Sequence, residues 1–138
     1  MPEEPESSPA EGNTRATVLL CDDDEGVRAV VSRMLEQAGY HVALADSAQA
    51  AIEQARAVRP SVILMDLTMP GTPGEAAMMS LKARPETRGI PVIVFSGREP
   101  SERAADPQQV VDWVQKPVDP KRLLSALERA LNLRRGKQ

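Results

Sequence analysis

Asp22, Asp23 and Asp24 follow directly on the apolar run Thr17–Cys21, and Asp66 follows the apolar run Val62–Met65. The hydroxyl of Ser96 closes the run that begins at Pro91, and Lys116–Pro117 comes just after Val110–Val114. Clustered carboxylate oxygens suit a hard cation such as Mg2+, which keeps several water ligands. A carboxylate beside such a cation can act as a nucleophile toward phosphorus, forming an acyl phosphate. The cation, an ammonium and a hydroxyl together can neutralise the equatorial oxygens of a phosphoryl group. Each residue alone has a plainer role. The acidic triplet could cap a helix, Asp66 could open a turn before Pro70 and Gly71, Ser96–Gly97 could be an ordinary turn, and Lys116 a solvated surface residue. Their joint placement at the ends of four apolar runs is what favours chemistry.

The elements that must position these groups are legible in the pattern. Five short apolar runs read as strands: Thr17–Cys21, His41–Ala45, Val62–Met65, Pro91–Phe95 and Val110–Val114. Most are continuous rather than alternating, as expected when both faces of a parallel sheet are covered. Helical spacing separates them. Val27, Val30, Val31, Met34, Leu35 and Ala38 fall on one face, and Gly39 stands where a helix end wants a glycine. Ser47 suits an N-cap for a helix whose face is Ala48, Ala51, Ile52 and Ala55. Gly74, Ala77, Met78 and Leu81 keep the same spacing. Asp119 and Pro120 open a last helix that buries Leu123, Leu124, Leu127 and Leu131. Strands alternating with helices force right-handed crossovers and predict a doubly wound α/β domain with a five-stranded parallel sheet. Sites in such sheets form at the carboxyl ends of the strands, where the polar residues lie.

Composition bounds the function. The 138 residues suit one core. With Tyr40, Phe95 and Trp113 as the only aromatics, that core is aliphatic. The net charge of −3 is carried by Glu3, Glu4, Glu6 and Glu11 against Arg15, so the remainder is balanced and no basic footprint points to nucleic acid. Arg134, Arg135 and Lys137 are read as a solvated helix end. Cys21 is the single cysteine, which leaves no internal disulfide and no cysteine metal cluster. No signal peptide and no membrane-spanning run is evident, so membrane insertion is not expected and the expected location is the cytoplasm. Residues 1–16, rich in Pro, Glu and Ser, are read as a flexible tail, 17–133 as the domain and 134–138 as a basic end.

Taken together, these motifs resemble the receiver domain of bacterial response regulators, the CheY-like family, over residues 17–133. The segment Val18-Leu19-Leu20-Cys21-Asp22-Asp23-Asp24 with Arg28 resembles the family's first strand and acidic pair. The segment Asp66-Leu67-Thr68-Met69-Pro70 with Gly74 resembles its phosphorylation loop. The resemblance implies the flavodoxin-like strand order 2-1-3-4-5. It implies Asp66 as phosphoacceptor, with Mg2+, or Mn2+ as an alternative, held by Asp22, Asp23, Asp66 and the backbone carbonyl of Thr68. Asp23 is then the direct ligand and Asp22 acts largely through water, whereas Asp24 takes no primary role. Ser96 matches the switch hydroxyl, Gly97 the small residue that admits the phosphoryl group, and Lys116 the phosphoryl-binding lysine. The Lys116–Pro117 bond is cis in the family, as only X–Pro bonds cheaply allow. Trp113 occupies the aromatic switch position. Thr68 and Arg98 occupy positions that tune the lifetime of the acyl phosphate.

The implied partners are a sensor histidine kinase or histidine phosphotransfer protein as donor and a protein target on the 97–133 face. The donor cannot be this chain, whose single histidine, His41, begins a strand. No DNA-binding segment follows the last helix, so the expectation is a stand-alone regulator that catalyses its own phosphoryl transfer and slow dephosphorylation without being a turnover enzyme. One departure stands out. Residues 97–107 lack the family's Gly-Ala turn, and Pro107 should stop a helix there, so the helix between the fourth and fifth strands is expected to be short, shifted or mobile. That segment sustains a second reading, a phosphate-independent pseudo-receiver acting as an interaction module. A metal-dependent aspartyl phosphatase fits less well, because it needs a second acid two residues after the nucleophile and Thr68 stands there. An EF-hand at Asp22–Gly26 fails on spacing.

Overall fold

The computed structural model describes residues 16–67, 69, 74–97 and 110–136. The chain runs β1 (Thr17–Cys21), α1 (Glu25–Gln37), β2 (His41–Ala45), α2 (Ala48–Val58), β3 (Val62–Met65), α3 (Gly74–Lys82), β4 (Val92–Ser96), β5 (Val110–Gln115) and α4 (Pro120–Gly136). The strands form one parallel sheet in the order β2-β1-β3-β4-β5. This is the CheY-like arrangement that the resemblance implies. Of the irregular segment expected at 97–110, residues 98–109 lie outside the described residues, as does almost all of the expected N-terminal tail.

The helices divide between the two faces of the sheet. Leu19, Cys21, Ile63, Met65, Val92, Val94 and Trp113 point toward α2 and α3, where Ala48, Ala51, Ala55, Ala77 and Leu81 meet them. Val18, Leu20, Val62, Leu64, Ile93, Phe95 and Val114 point the other way, onto Val31 and Leu35 of α1 and Leu123 and Leu127 of α4. The alanines of α2 let that helix lie close to the sheet, and each pair of facing layers removes apolar area from water at about 25 cal/mol per Å2. β1, β3 and β4 are buried along nearly their whole length because both faces are covered, whereas the edge strand β2 reads exposed to half-buried over His41–Leu44.

Local signals set the helix ends. Ser47, in extended conformation, accepts a hydrogen bond from the Ala50 N–H at 3.1 Å and caps α2. Gly39 follows the C-cap Ala38 of α1 with φ of 100°, a left-handed conformation open to glycine without strain. The Leu123 N–H donates to the Asp119 carbonyl at 3.0 Å, which starts α4 as the Asp-Pro pair predicts. Two apolar residues depart from the expected face of α1: the C-cap Ala38 is exposed at the helix end, and so is Val30. Val30 is 60% exposed, because about 100° per residue carries it off the stripe centred on Val31 and Leu35.

β5 contains an irregularity. Val92 pairs with Val110, but Ile93 pairs with Asp112, so Val111 is an extra residue. Such a bulge bends the strand and shifts the alternation of its side chains. Val110 therefore packs with the α2–α3 side, Val111 with the α1–α4 side, and Trp113 returns to the α2–α3 side.

Candidate functional site

The carboxyl ends of β1, β3 and β4 and the residues after β5 converge on one edge of the sheet. Asp22 is fully buried, and its N–H donates to the Ala45 carbonyl at 3.1 Å. Asp66 is 1% exposed, and its N–H donates to the Cys21 carbonyl at 3.0 Å. Sheet hydrogen bonds therefore continue one residue beyond each strand and fix both carboxylates. Asp23 projects to solvent beside them. Asp22, Asp23 and Asp66 each offer a carboxylate oxygen within 4.8 Å of the others.

Lys116 closes the group. Its Nζ lies 2.7 Å from Oδ2 of Asp22 and 3.3 Å from Oδ2 of Asp66. It also sits 5.0 Å from the centroid of the Phe95 ring, whose π face favours a cation. The Lys116–Pro117 bond is cis, and the Lys116 N–H donates to the Ser96 carbonyl at 2.9 Å. Ser96 is fully buried at the end of β4. Gly97 is exposed, and a Cβ built on it would meet no heavy atom within 4 Å. The space at that Cβ position is thus open among the described residues. Trp113, three residues before Lys116, is 9% exposed.

The turn after β1 is held from several sides. Asp22 Oδ1 accepts from the Asp24 N–H at 2.9 Å, and the Asp22 carbonyl accepts from Arg28 Nη1 at 2.9 Å. Asp24 is the N-cap of α1: its Oδ1 accepts from the Val27 N–H at 3.1 Å. The acidic triplet therefore divides, with Asp22 and Asp23 facing the site and Asp24 capping the helix. The Arg28 contact went unassigned in the sequence. A lone arginine in a first helical turn gives no sign of which carbonyl it will reach.

Charge in this group is unbalanced. Burial pushes the Asp22 carboxyl above its ordinary 3.8, against the hydrogen bonds of Lys116 and the Asp24 N–H. Burial would lower the Lys116 pKa, but the Asp22 hydrogen bond and the charges of Asp66 and Asp22 outweigh it and raise it. The ammonium is held firmly, yet Asp22 is still under-compensated, because burial outweighs its lysine and N–H partners and the Asp66 charge adds to it. Two buried and one exposed carboxylate, all hard oxygen donors, fit a divalent cation of the Mg2+ class. Cys21 is no rival ligand. Burial, reinforced by the Asp22 charge, pushes its thiol far up.

Thr68 and Arg98, expected to tune an acyl phosphate, and the Thr68 carbonyl expected at a metal lie outside the described residues. No helix among the described residues is long and apolar enough to cross a membrane.

Known proteins share this arrangement. Residues 18–128 match the family model described as the response regulator receiver domain. The chain is 33% identical over 118 residues to protein PilH of Pseudomonas aeruginosa, covering 84% of this chain and 98% of that protein. It is 35% identical over 126 residues to the phosphoglycerate transport system transcriptional regulatory protein PgtA of Salmonella typhimurium. That match takes in 90% of this chain but only 30% of the longer protein. Among solved structures, the receiver domain of sensor histidine kinase PA1611 from Pseudomonas aeruginosa superposes with a TM-score of 0.78 at 27% identity, over 86% of this chain and 98% of that one. That structure has a magnesium ion coordinated in its active site cleft.

Proposed function

The chain belongs to the response regulator receiver domain family, and from that premise we propose that it is a phosphorylation switch whose acceptor is Asp66. Membership makes it a signalling switch rather than a turnover enzyme, and receivers partner with histidine kinases. The observation that carries the finer reading is the meeting of Asp22, Asp23 and Asp66 with Lys116, two of the carboxylates being buried.

Each residue then has a task. An Asp66 carboxylate oxygen attacks phosphorus in line, and the bond from phosphorus to the donor's imidazole nitrogen breaks as the bond to Asp66 forms. The departing imidazole nitrogen takes up a proton from solvent water. Lys116, already 3.3 Å from Asp66, neutralises one phosphoryl oxygen, and the Ser96 hydroxyl donates to another. Gly97 leaves the approach open. Asp22, Asp23 and Asp66, with the Thr68 carbonyl, would hold Mg2+, or Mn2+ in its place, and that ion supplies positive charge to the transferred group. Arg28 and the Asp24 N–H keep Asp22 aimed at the site. New negative charge at Asp66 draws Ser96 and Lys116 toward it and biases two pre-existing conformations, which a protein target reads.

Intact-protein mass after incubation with Mg2+ and a small acyl-phosphate donor tests this, with Asp66→Ala alongside. One phosphoryl adduct, absent in the variant, is expected. No adduct from the small donor and none from a phosphohistidine donor would sink the switch and leave a phosphate-independent interaction module.

A further inference from the structure

β5 is an edge strand of the sheet, and its outward backbone groups face no neighbouring strand. The Lys116 N–H points inward to the Ser96 carbonyl. Backbone direction alternates along a parallel strand, so the N–H and C=O of Trp113 point outward. Both are nonetheless occupied. The Trp113 N–H donates to Asp112 Oδ1 at 2.7 Å, and the Trp113 carbonyl accepts from Arg122 Nη2 at 3.1 Å.

The two capping side chains also hold each other. Arg122 forks onto Asp112, with Nη2 at 2.7 Å from Oδ1 and Nη1 at 3.1 Å from Oδ2. Paired contacts of this kind fix geometry as well as adding energy. Arg129 Nη1 adds a contact to Asp112 Oδ2 at 3.2 Å and touches neither backbone group of Trp113 in any hydrogen bond described. Asp112 is able to do this because the bulge at Val111 turns it toward α4, while the indole of Trp113 lies on the opposite face of the sheet.

We propose that Asp112 and Arg122 form a latch: together they close both outward backbone groups of Trp113 and tie the strand leading into Lys116 to α4. Arg122 is thus a positioning residue, acting through the backbone of Trp113 on an indole that sits across the sheet. The latch itself stands on the hydrogen bonds above. Its link to Lys116 as a phosphoryl ligand rests on the function proposed above. The same latch blunts the edge of β5, because its occupied groups are closed to an incoming strand.

Trp113 is the chain's only tryptophan, so intrinsic fluorescence reports on this residue alone. The experiment measures amide exchange at Trp113 and acrylamide quenching of its fluorescence in the unphosphorylated protein. The variants are Asp112→Ala, Arg122→Ala, Arg122→Lys and Arg129→Ala. Loss of one charge-assisted hydrogen bond predicts exchange about tenfold faster in Asp112→Ala. Quenching should rise in Arg122→Ala, with Arg122→Lys intermediate because it keeps the charge but not the fork. Arg129→Ala should leave both readings as in the wild type. If Arg122→Ala does not fold, the lysine and Arg129 variants carry the comparison.

Unchanged exchange in Asp112→Ala would overturn the latch, as would an Arg129→Ala effect equal to that of Arg122→Ala. A change of oligomeric state in Arg122→Ala with Trp113 unaltered would also overturn it and assign the cluster to contacts between copies. None of these readings needs a phosphoryl group, so failure of the latch and failure of phosphorylation at Asp66 are separable.

Discussion

Two clusters of acids and cations, which come near each other along the chain at Asp112 and Lys116, are built to opposite ratios. At the strand ends, Lys116 pairs with Asp22 and Asp66, and Asp23 adds a third carboxylate beside them. On the β5–α4 face, Asp112 is shared by the guanidiniums of Arg122 and Arg129. Burial pushes both the buried Asp22 and the half-buried Asp112 up. At Asp22 burial prevails and the carboxyl stays above its ordinary value. At Asp112 the Arg122 hydrogen bond, the Trp113 N–H and the two guanidinium charges outweigh burial and hold the carboxyl below it. A surplus of acid leaves a site that gains from another cation, whereas a surplus of base makes a closed joint. Burial and the ratio of charges together separate the two: Asp22 is fully buried and burial prevails, whereas at half-buried Asp112 two guanidiniums outweigh it.

The most severe way to break this contrast is to remove the cation from the acid-rich cluster. Lys116→Met should destabilise the metal-free fold by about 2–3 kcal/mol, below the usual cost of breaking a buried pair because the lysine side chain is 23% exposed. Denaturant unfolding reads it, and unchanged stability would mean the carboxylates do not depend on Lys116. Nearly as large is the response to metal. Mg2+ at a hundred times its dissociation constant should raise the unfolding free energy by about 2.7 kcal/mol. Asp23→Ala should remove most of that gain and Asp112→Asn none of it. An equal loss in both variants would erase the distinction.

Asp112→Asn should itself cost about 1 kcal/mol, a modest figure because both arginines are well exposed. The smallest effect is in pH. Asp112 has a lowered folded pKa, so its contribution is fully present above the ordinary 3.8 and is lost as pH falls through the folded value below it. The stability gap between wild type and Asp112→Asn should therefore close only in acid below 3.8. Asp22 has a raised pKa, and its window lies on the other side: stability is lost as pH rises from 3.8 through the folded value. Paired pH titrations of Asp112→Asn and Asp22→Asn check the opposite slopes.

The acid-rich cluster was legible in the sequence and the base-rich one was not, for a physical reason. Asp22, Asp66, Ser96 and Lys116 each sit where an apolar run stops, so a strand assignment alone gathers them at one edge. Asp112 sits inside an apolar run, and its partners Arg122 and Arg129 lie on a helix where charges usually face water. Only the bulge at Val111 turns Asp112 toward that helix, and no residue type announced it. Val30 shows the same limit on a smaller scale, since spacing assigns a face to within a turn but not its edge. The division of the acidic triplet needed the N-cap geometry of Asp24.

The extra residue in β5 also bears on how this chain could be recombined with others. Residues 97–109 join β4 to β5, and a graft from another receiver at this place brings its own residue count. The count matters by parity as well as by length. With Val111 the chain delivers Trp113 to the α2–α3 side and Lys116 to the hydrogen bond with Ser96. A chimera one residue shorter or longer within the strand, without its own compensating bulge, would deliver the same residues to the wrong sides of the sheet. The joint for such an exchange therefore belongs after Asp112 or before Val110, so that the bulge travels whole with whichever parent supplies it.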